Sequence, residues 1–396
     1  MSVFDCLAGQ AAVRAQLEKA AAAARALATE VAPESEDALP QSAMSQAWLF
    51  TGPPGSGRSV AALALAAALE CTGETPGCGE CHACRTTMAR SNPDVEIVET
   101  EGVTITVDAT RSLVGRSYVA PSGRWRVIVI EDADRMLERT TNVLLKAIEE
   151  PPPFTVWMLC TPSPEDVMPT IRSRCRSVSL AIPPVEAVAD LLVSSDHVSR
   201  EQALAAAQEA QSHIGRARAL ATDPEAAKGR TATLRIASSI RGAGDAVLGA
   251  ARLMKAADEY AKIHAAERDE SERAELARSL GVNEQGRIPP AVRAQFRELE
   301  GRQKRRVTRV KRDFLDRAMI DILSFFRDVV VTQIGASLDL VNADFSHQIE
   351  AVAGESTVEQ SIRKMDAIAV ARERLAGNVD PLLAVEAMLV SLRPQG

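Results

Sequence analysis

The hydrophobic rhythm of the chain changes near residue 183. Before that point, short apolar runs rich in β-branched and bulky residues alternate with stretches that are apolar at helical spacing. Gln10 to Thr29 has that spacing, with many alanines. Trp48-Leu49-Phe50 reads as a short buried strand, and Val60 to Leu69 as an Ala/Leu-rich helix. Asp94 to Val98 predicts a strand and Val107 to Val119 a helix. Trp125 to Ile130 predicts a strand ending in acids, and Met136 to Glu150 a helix stopped by Pro151-Pro152-Pro153. Thr155 to Cys160 and Ser177 to Leu180 predict two more strands. Glu30 to Ser45, carrying Pro33, Glu34, Ser35, Glu36, Asp37 and Pro40, reads as a loop or insertion.

Strands alternating with helices imply an α/β domain built on a doubly wound parallel sheet, with its site at the C-terminal ends of the strands. After Pro183-Pro184, three short helices are expected over Val185–Leu192, Arg200–Gln211 and His213–Ala221. From Ala226 onward the pattern is helical, with a break at Gly281–Pro290. The expected organisation is an α/β domain over 1–181, a small helical domain over 182–225 and an all-helical domain over 226–396. No repeat of 20–50 residues is present.

The formal net charge of −7 excludes a uniformly basic nucleic-acid binder. The basic stretch Arg302–Arg312 can face phosphates, but it follows the acidic stretch Glu267–Glu275. A self-pairing helical pair is the preferred reading. The start, Met1-Ser2-Val3-Phe4-Asp5-Cys6, lacks the pattern of a secretory leader. No apolar run is long enough to span a bilayer. Seven cysteines, four of them clustered, point to metal binding in a reducing cytosol.

Between the first strand and its helix lies Gly52-Pro53-Pro54-Gly55-Ser56-Gly57-Arg58-Ser59. Strand, glycine-rich turn and helix start form the layout of a phosphate-binding loop, in which backbone N–H groups and a helix N-terminus face an anion. The full motif has lysine at the position of Arg58. Glu131 and Asp132, at the end of the third predicted strand, stand where a parallel sheet holds a magnesium ion.

Cys71, Cys78, Cys81 and Cys84 follow the loop helix, the last three each two residues apart. Four thiolates at this spacing can close a tetrahedron around zinc, with no position open for water, so the expected site is structural. His82 is expected to point outward, and Cys6 and Cys160 to act as small apolar fillers.

Together these residues resemble the bacterial clamp-loader subunits of DNA polymerase III, in the AAA+ superfamily, and most of all the delta-prime type. The resemblance rests on Gly9-Gln10, the loop Gly52–Ser59, the cysteine module and Glu131-Asp132-Ala133-Asp134. It also rests on Asn142-Val143-Leu144-Leu145-Lys146-Ala147-Ile148-Glu149-Glu150-Pro151-Pro152 and on Ser173-Arg174-Cys175. It is dense up to about residue 220.

The resemblance implies an AAA+ domain with a zinc insert, a helical lid and an all-helical collar that holds a ring together. It implies that Arg174 acts as an arginine finger on ATP bound by a neighbour, since a guanidinium is planar, always charged and forks onto phosphate oxygens. It places a first sensor at Thr161 and a second sensing arginine at Arg218. The implied partners are gamma/tau ATPase subunits and the delta subunit, and through the complex the sliding clamp and primer–template DNA. Motor subunits of this type carry lysine at the position of Arg58 and read Asp-Glu-Ala where this chain has Glu131-Asp132-Ala133. The expectation is therefore a cytoplasmic subunit of the polymerase III holoenzyme without ATPase activity of its own, its loop holding ATP or ADP with magnesium weakly or not at all. The competing expectations are an active gamma/tau-like motor, and a zinc-stabilised module that binds DNA through Arg302–Arg312.

Overall fold

Five strands assemble into one parallel sheet in the order β2-β3-β4-β1-β5. The strands are β1 (Ala47–Thr51), β2 (Val95–Val98), β3 (Arg126–Ile130), β4 (Thr155–Thr161) and β5 (Arg176–Ser179). The computed structural model describes residues 2–28, 43–98, 100, 104–280, 282, 289, 292–377 and 379–394. Most of the expected loop at 30–45 and of the expected break at 281–290 lies outside the described residues. The chain separates into two compact units, Met1–Thr222 and Asp223–Gly396.

Side-chain alternation along each strand builds two cores. Trp48, Phe50, Val127, Val129, Met158 and Cys160 enter the core shared with helices α1 (Ala11–Ala28) and α2 (Arg58–Glu70). Ala47, Leu49, Ile128, Ile130, Trp157 and Leu159 enter the core on the opposite face, with α4 (Val107–Ser117) and α5 (Glu138–Glu149). Burial on both faces is why these strands read as unbroken apolar runs. Helix α2 is buried from Ala61 to Glu70, and its alanines let it lie close to its neighbours.

Three details depart from the sequence expectation. A short helix, α3 (His82–Met88), lies within the cysteine module, and another, α6 (Pro169–Arg172), precedes β5. Helix α5 begins at Glu138 rather than Met136, because Ala133–Arg135 forms a 3-10 turn that closes onto Met136 N–H.

Helices α7 (Val185–Asp196), α8 (Arg200–Glu209) and α9 (Ile214–Thr222) form a small core around Val188, Leu192, Ala203 and Ala207. Helix α8 opens with a reciprocal capping pair, Ser199 and Gln202.

The second unit contains α10 (Pro224–Ser239), α11 (Ala243–Ser279), α12 (Arg293–Gln333), α13 (Ser346–Gly354), α14 (Val358–Ala376) and α15 (Pro381–Ser391). Its apolar core centres on Leu234, Ile322, Phe325, Phe326, Ile349, Ile368 and Leu389. A fully buried carboxylate, Asp328, crosses this core. It accepts from the Asn342 backbone N–H and Nδ2, both at 2.8 Å, and from Arg327 Nη1 at 2.6 Å. On α12, Arg306 pairs with Asp269 at 2.8 Å and Glu272 at 2.7 Å, and Lys311 with Asp258 at 2.7 Å. The basic stretch thus spends part of its charge on α11, as the helical-pair reading expects.

Candidate functional site

The glycine-rich loop joins β1 to α2 at the C-terminal edge of the sheet. Gly52, Gly55 and Gly57 have φ of 150°, 90° and 90°, a backbone that L side chains rarely adopt. A Cβ at Gly52 would lie 2.4 Å from the Leu180 carbonyl oxygen, and one at Gly55 would lie 2.8 Å from His213 Cγ. The loop is therefore pressed against the end of β5 and against the residue that leads into α9. Ser56 N–H donates to the Pro53 carbonyl at 3.1 Å. The Ser56 hydroxyl is buried and has no hydrogen-bond partner among the described residues. Positive-φ glycines, a helix N-terminus and an unsatisfied hydroxyl fit an anion.

The side chains around the loop fit a magnesium–phosphate group less well. Arg58 turns back, and its Nη1 donates to the Gly52 carbonyl at 2.6 Å. Burial lowers its guanidinium from the ordinary value, against the pull of Cys160, Asp134 and Asp132. Glu131 is paired with Arg90 at 2.9 Å. Burial raises the Asp134 carboxyl above its ordinary range, and Asp132 adds to the rise. Thr161, fully buried, donates its hydroxyl to the Ser163 carbonyl at 2.9 Å. Arg218 is held by both carboxylate oxygens of Asp196, each at 2.9 Å. The cradle suits an anion, whereas Glu131, Thr161 and Arg218 are engaged by the protein itself. Cys160 is a buried filler as expected, and burial raises its thiol.

Arg174 sits between α6 and β5, an edge strand of the sheet. Its Nη1 donates to the Thr170 carbonyl at 2.8 Å, and its Nη2 meets Glu149 Oε1 at 2.5 Å. Both side chains are about two-fifths exposed, 40% and 42%. Pairing with Glu149 joins two of the sequence motifs singled out above.

The four cysteines converge. Their sulfurs all lie within 4.8 Å of one another, with Cys71 3.6 Å from Cys78 and 3.9 Å from Cys81. A tetrahedral zinc with bonds of about 2.3 Å requires sulfur–sulfur edges of about 3.8 Å, so the set fits. The backbone N–H of Cys81 points at Cys78 Sγ and that of Cys84 at Cys81 Sγ, each at 3.4 Å. Such donors stabilise thiolates. Burial pushes the Cys81 thiol up, but N–H groups of Cys84 and Thr72 outweigh it and bring the thiol down to about 5. His82 is exposed, clear of the ligand set.

Residues that sequence reasoning missed hold the cysteine loop in place. Arg25 on α1 donates to the carbonyls of Gly73 at 2.6 Å, Glu74 at 2.5 Å and Cys71 at 2.8 Å. Val3 N–H bonds the Gly77 carbonyl at 2.9 Å. At the end of α2, buried Glu70 accepts from Trp125 N–H at 2.6 Å, and burial raises its carboxyl above the ordinary range. No local pattern announces such long-range contacts.

Residues 28–184 match the family model described as DNA polymerase III, delta subunit. The chain is similar to the DNA polymerase III subunit gamma/tau of Mycobacterium tuberculosis, 35% identical over 159 residues, which cover 39% of this chain and 28% of that protein. It is similar to the DNA polymerase III subunit delta' of Pseudomonas aeruginosa, 37% identical over 144 residues, covering 35% of this chain and 44% of that protein. The chain thus spans less than half the length of either relative. A solved gamma subunit-related protein of DNA polymerase III from Thermotoga maritima aligns over 88% of this chain and 95% of its own, at 14% identity and a TM-score of 0.42. Among the described residues, no helix is long and apolar enough to cross a membrane.

Proposed function

We propose that this chain, whose first unit carries an AAA+ domain of the DNA polymerase III clamp-loader type, is a delta-prime-like subunit that does not hydrolyse ATP. The observation that carries the proposal is the Arg58–Gly52 contact of 2.6 Å. Where a motor subunit needs a mobile point charge on the terminal phosphates, this loop has a flat cation bound to its own backbone.

In this reading Arg174 is the working residue. It stands at a sheet edge on a tight turn, held by an exposed ion pair of the kind that exchanges readily for a stronger partner. A neighbour's ATP, with several negative oxygens in reach of one guanidinium, is such a partner. The assigned parts are an AAA+ domain over 1–181 with its zinc module at Cys71–Cys84, a lid over 182–225 and a collar over 226–396. Zinc serves as a structural ion. The partners are gamma/tau ATPase subunits and the delta subunit in the cytoplasm, and the assembly loads the sliding clamp onto primed DNA.

The test is reconstitution. A loader carrying Arg174→Ala should lose most of the DNA-stimulated ATPase of the joint it serves, roughly 10³-fold if the finger has its usual weight. Full ATPase in that assembly would reject the role of Arg174.

A second reading, an active gamma/tau-like motor, draws on the retained loop glycines, on Ser59 and on the 35% identity with a gamma/tau subunit. It requires Arg58 to release Gly52 and reach phosphate.

A further inference from the structure

Helix α3 of the cysteine module ends at Met88 and is followed by a tight turn. Ala89 N–H donates to the Arg85 carbonyl at 2.9 Å, Arg90 N–H to Thr87 at 2.9 Å and Ser91 N–H to Thr86 at 2.8 Å. Within this turn Arg90 has φ of 58°. That left-handed backbone costs a non-glycine residue about 1 kcal/mol, and it persists only where the surroundings fix it.

The turn aims the side chain across to the sheet. Arg90 Nη2 lies 2.9 Å from Glu131 Oε1, and the Glu131 side chain is only 17% exposed against 44% for Arg90. Glu131 is the first residue after β3. In a phosphate-loop sheet a carboxylate at this place stands toward the divalent cation that accompanies the nucleotide. Here the acid meets a cation that is part of the chain.

We propose that Arg90 takes the place of the divalent cation at Glu131, so that the loop admits a nucleoside diphosphate or triphosphate only in its metal-free form. This deepens the reading of a non-hydrolysing loop and rests on it. A guanidinium neutralises the carboxylate as a metal would. It carries one charge instead of two, however, and offers no coordination positions with which to bridge phosphate oxygens. The loop keeps its positive-φ glycines, the N-terminus of α2 and the Ser56 hydroxyl for an anion, while the cation seat at Glu131 is taken. The cysteine module, through α3 and its closing turn, is the element that delivers the substitute.

The test uses the full chain, ADP and Mn²⁺, with bound manganese counted by electron paramagnetic resonance and affinity measured by calorimetry. Arg58→Lys provides the background, so that nucleotide entry is not limited by that side chain. Arg90→Asn removes the charge while tolerating the left-handed backbone, and Arg90→Lys keeps a charge there. Arg58→Lys/Arg90→Asn should bind ADP about tenfold more tightly with Mn²⁺ than without, and should take up manganese with the nucleotide. Arg58→Lys alone and Arg58→Lys/Arg90→Lys should bind ADP with no dependence on Mn²⁺. Manganese-dependent binding by Arg58→Lys alone, or none by the Arg90→Asn double variant, would overturn the inference and leave the non-hydrolysing reading intact. Magnesium-dependent ATP turnover by the unaltered chain would overturn both.

Discussion

Arg58 Nη1 donates to the carbonyl oxygen of Gly52 at 2.6 Å, so the residue that opens α2 is tied to the glycine that follows β1. The loop between them is closed on itself by a cation. The desolvated guanidinium gains a charge-assisted hydrogen bond, and a phosphate entering the cradle has to compete for it.

Arg58→Lys should loosen that tie, because a lysine ammonium is a single point charge on a flexible stem that can leave one carbonyl for a phosphate. The expected result is about tenfold tighter ADP binding, near 1.4 kcal/mol, measured by calorimetry. Weaker binding than in the unaltered chain would show that Arg58 serves the ligand rather than the loop.

Glu149 holds Arg174 through an exposed pair, so Glu149→Gln should change stability by no more than about 0.5 kcal/mol in chemical denaturation. A loss of several kcal/mol would mean that Arg174 and Glu149 are a structural clasp, with little freedom to serve a neighbour.

The cysteine set should hold an equivalent of zinc by atomic absorption. Chelation, or Cys81→Ser, should destabilise the first unit by about 3 kcal/mol, roughly 6–12 °C in thermal unfolding. Arg25→Ala should reproduce part of that loss with the zinc retained, because it strips donors from three carbonyls of the loop without touching a ligand. Unchanged unfolding after metal removal would contradict a structural role.

On α11 and α12, burial pushes the Glu272 carboxyl up, but Arg306 and Arg268 outweigh it and leave it below the ordinary range. Asp269, beside the same Arg306, goes the other way, because there burial dominates. A double-mutant cycle of Arg306→Ala and Glu272→Gln isolates the first pair. Its coupling, about 0.5–1 kcal/mol for a partly exposed pair, should be present in full at neutral pH. A carboxyl with a depressed folded-state value loses its contribution as the proton returns, so the coupling should fade as pH falls below the ordinary carboxylate range. Coupling that persists in acid would contradict the assignment.

Much of the first unit could be read from sequence for a physical reason. Strands buried on both faces, such as Val127–Ile130 and Val156–Cys160, carry continuous apolar runs, and the loop glycines and clustered cysteines declare themselves by spacing. What escaped detection depends on partners distant in the chain. Arg25 on the cysteine loop, Arg90 on Glu131 and the buried Asp328 on Asn342 look like ordinary surface charges until the fold brings their partners near. The departures at Arg58 and Glu131-Asp132 were visible as letters, but only the structure places Arg58 on Gly52 and Arg90 on Glu131.

In the proposed division of labour, this chain's own loop is idle while Arg174 is available to a neighbour. Steady-state ATPase of the purified chain alone, with magnesium, compared with Arg58→Ala, decides whether the loop is idle. Neither protein should turn over ATP above background. Turnover in the unaltered chain that disappears in Arg58→Ala would contradict an idle loop.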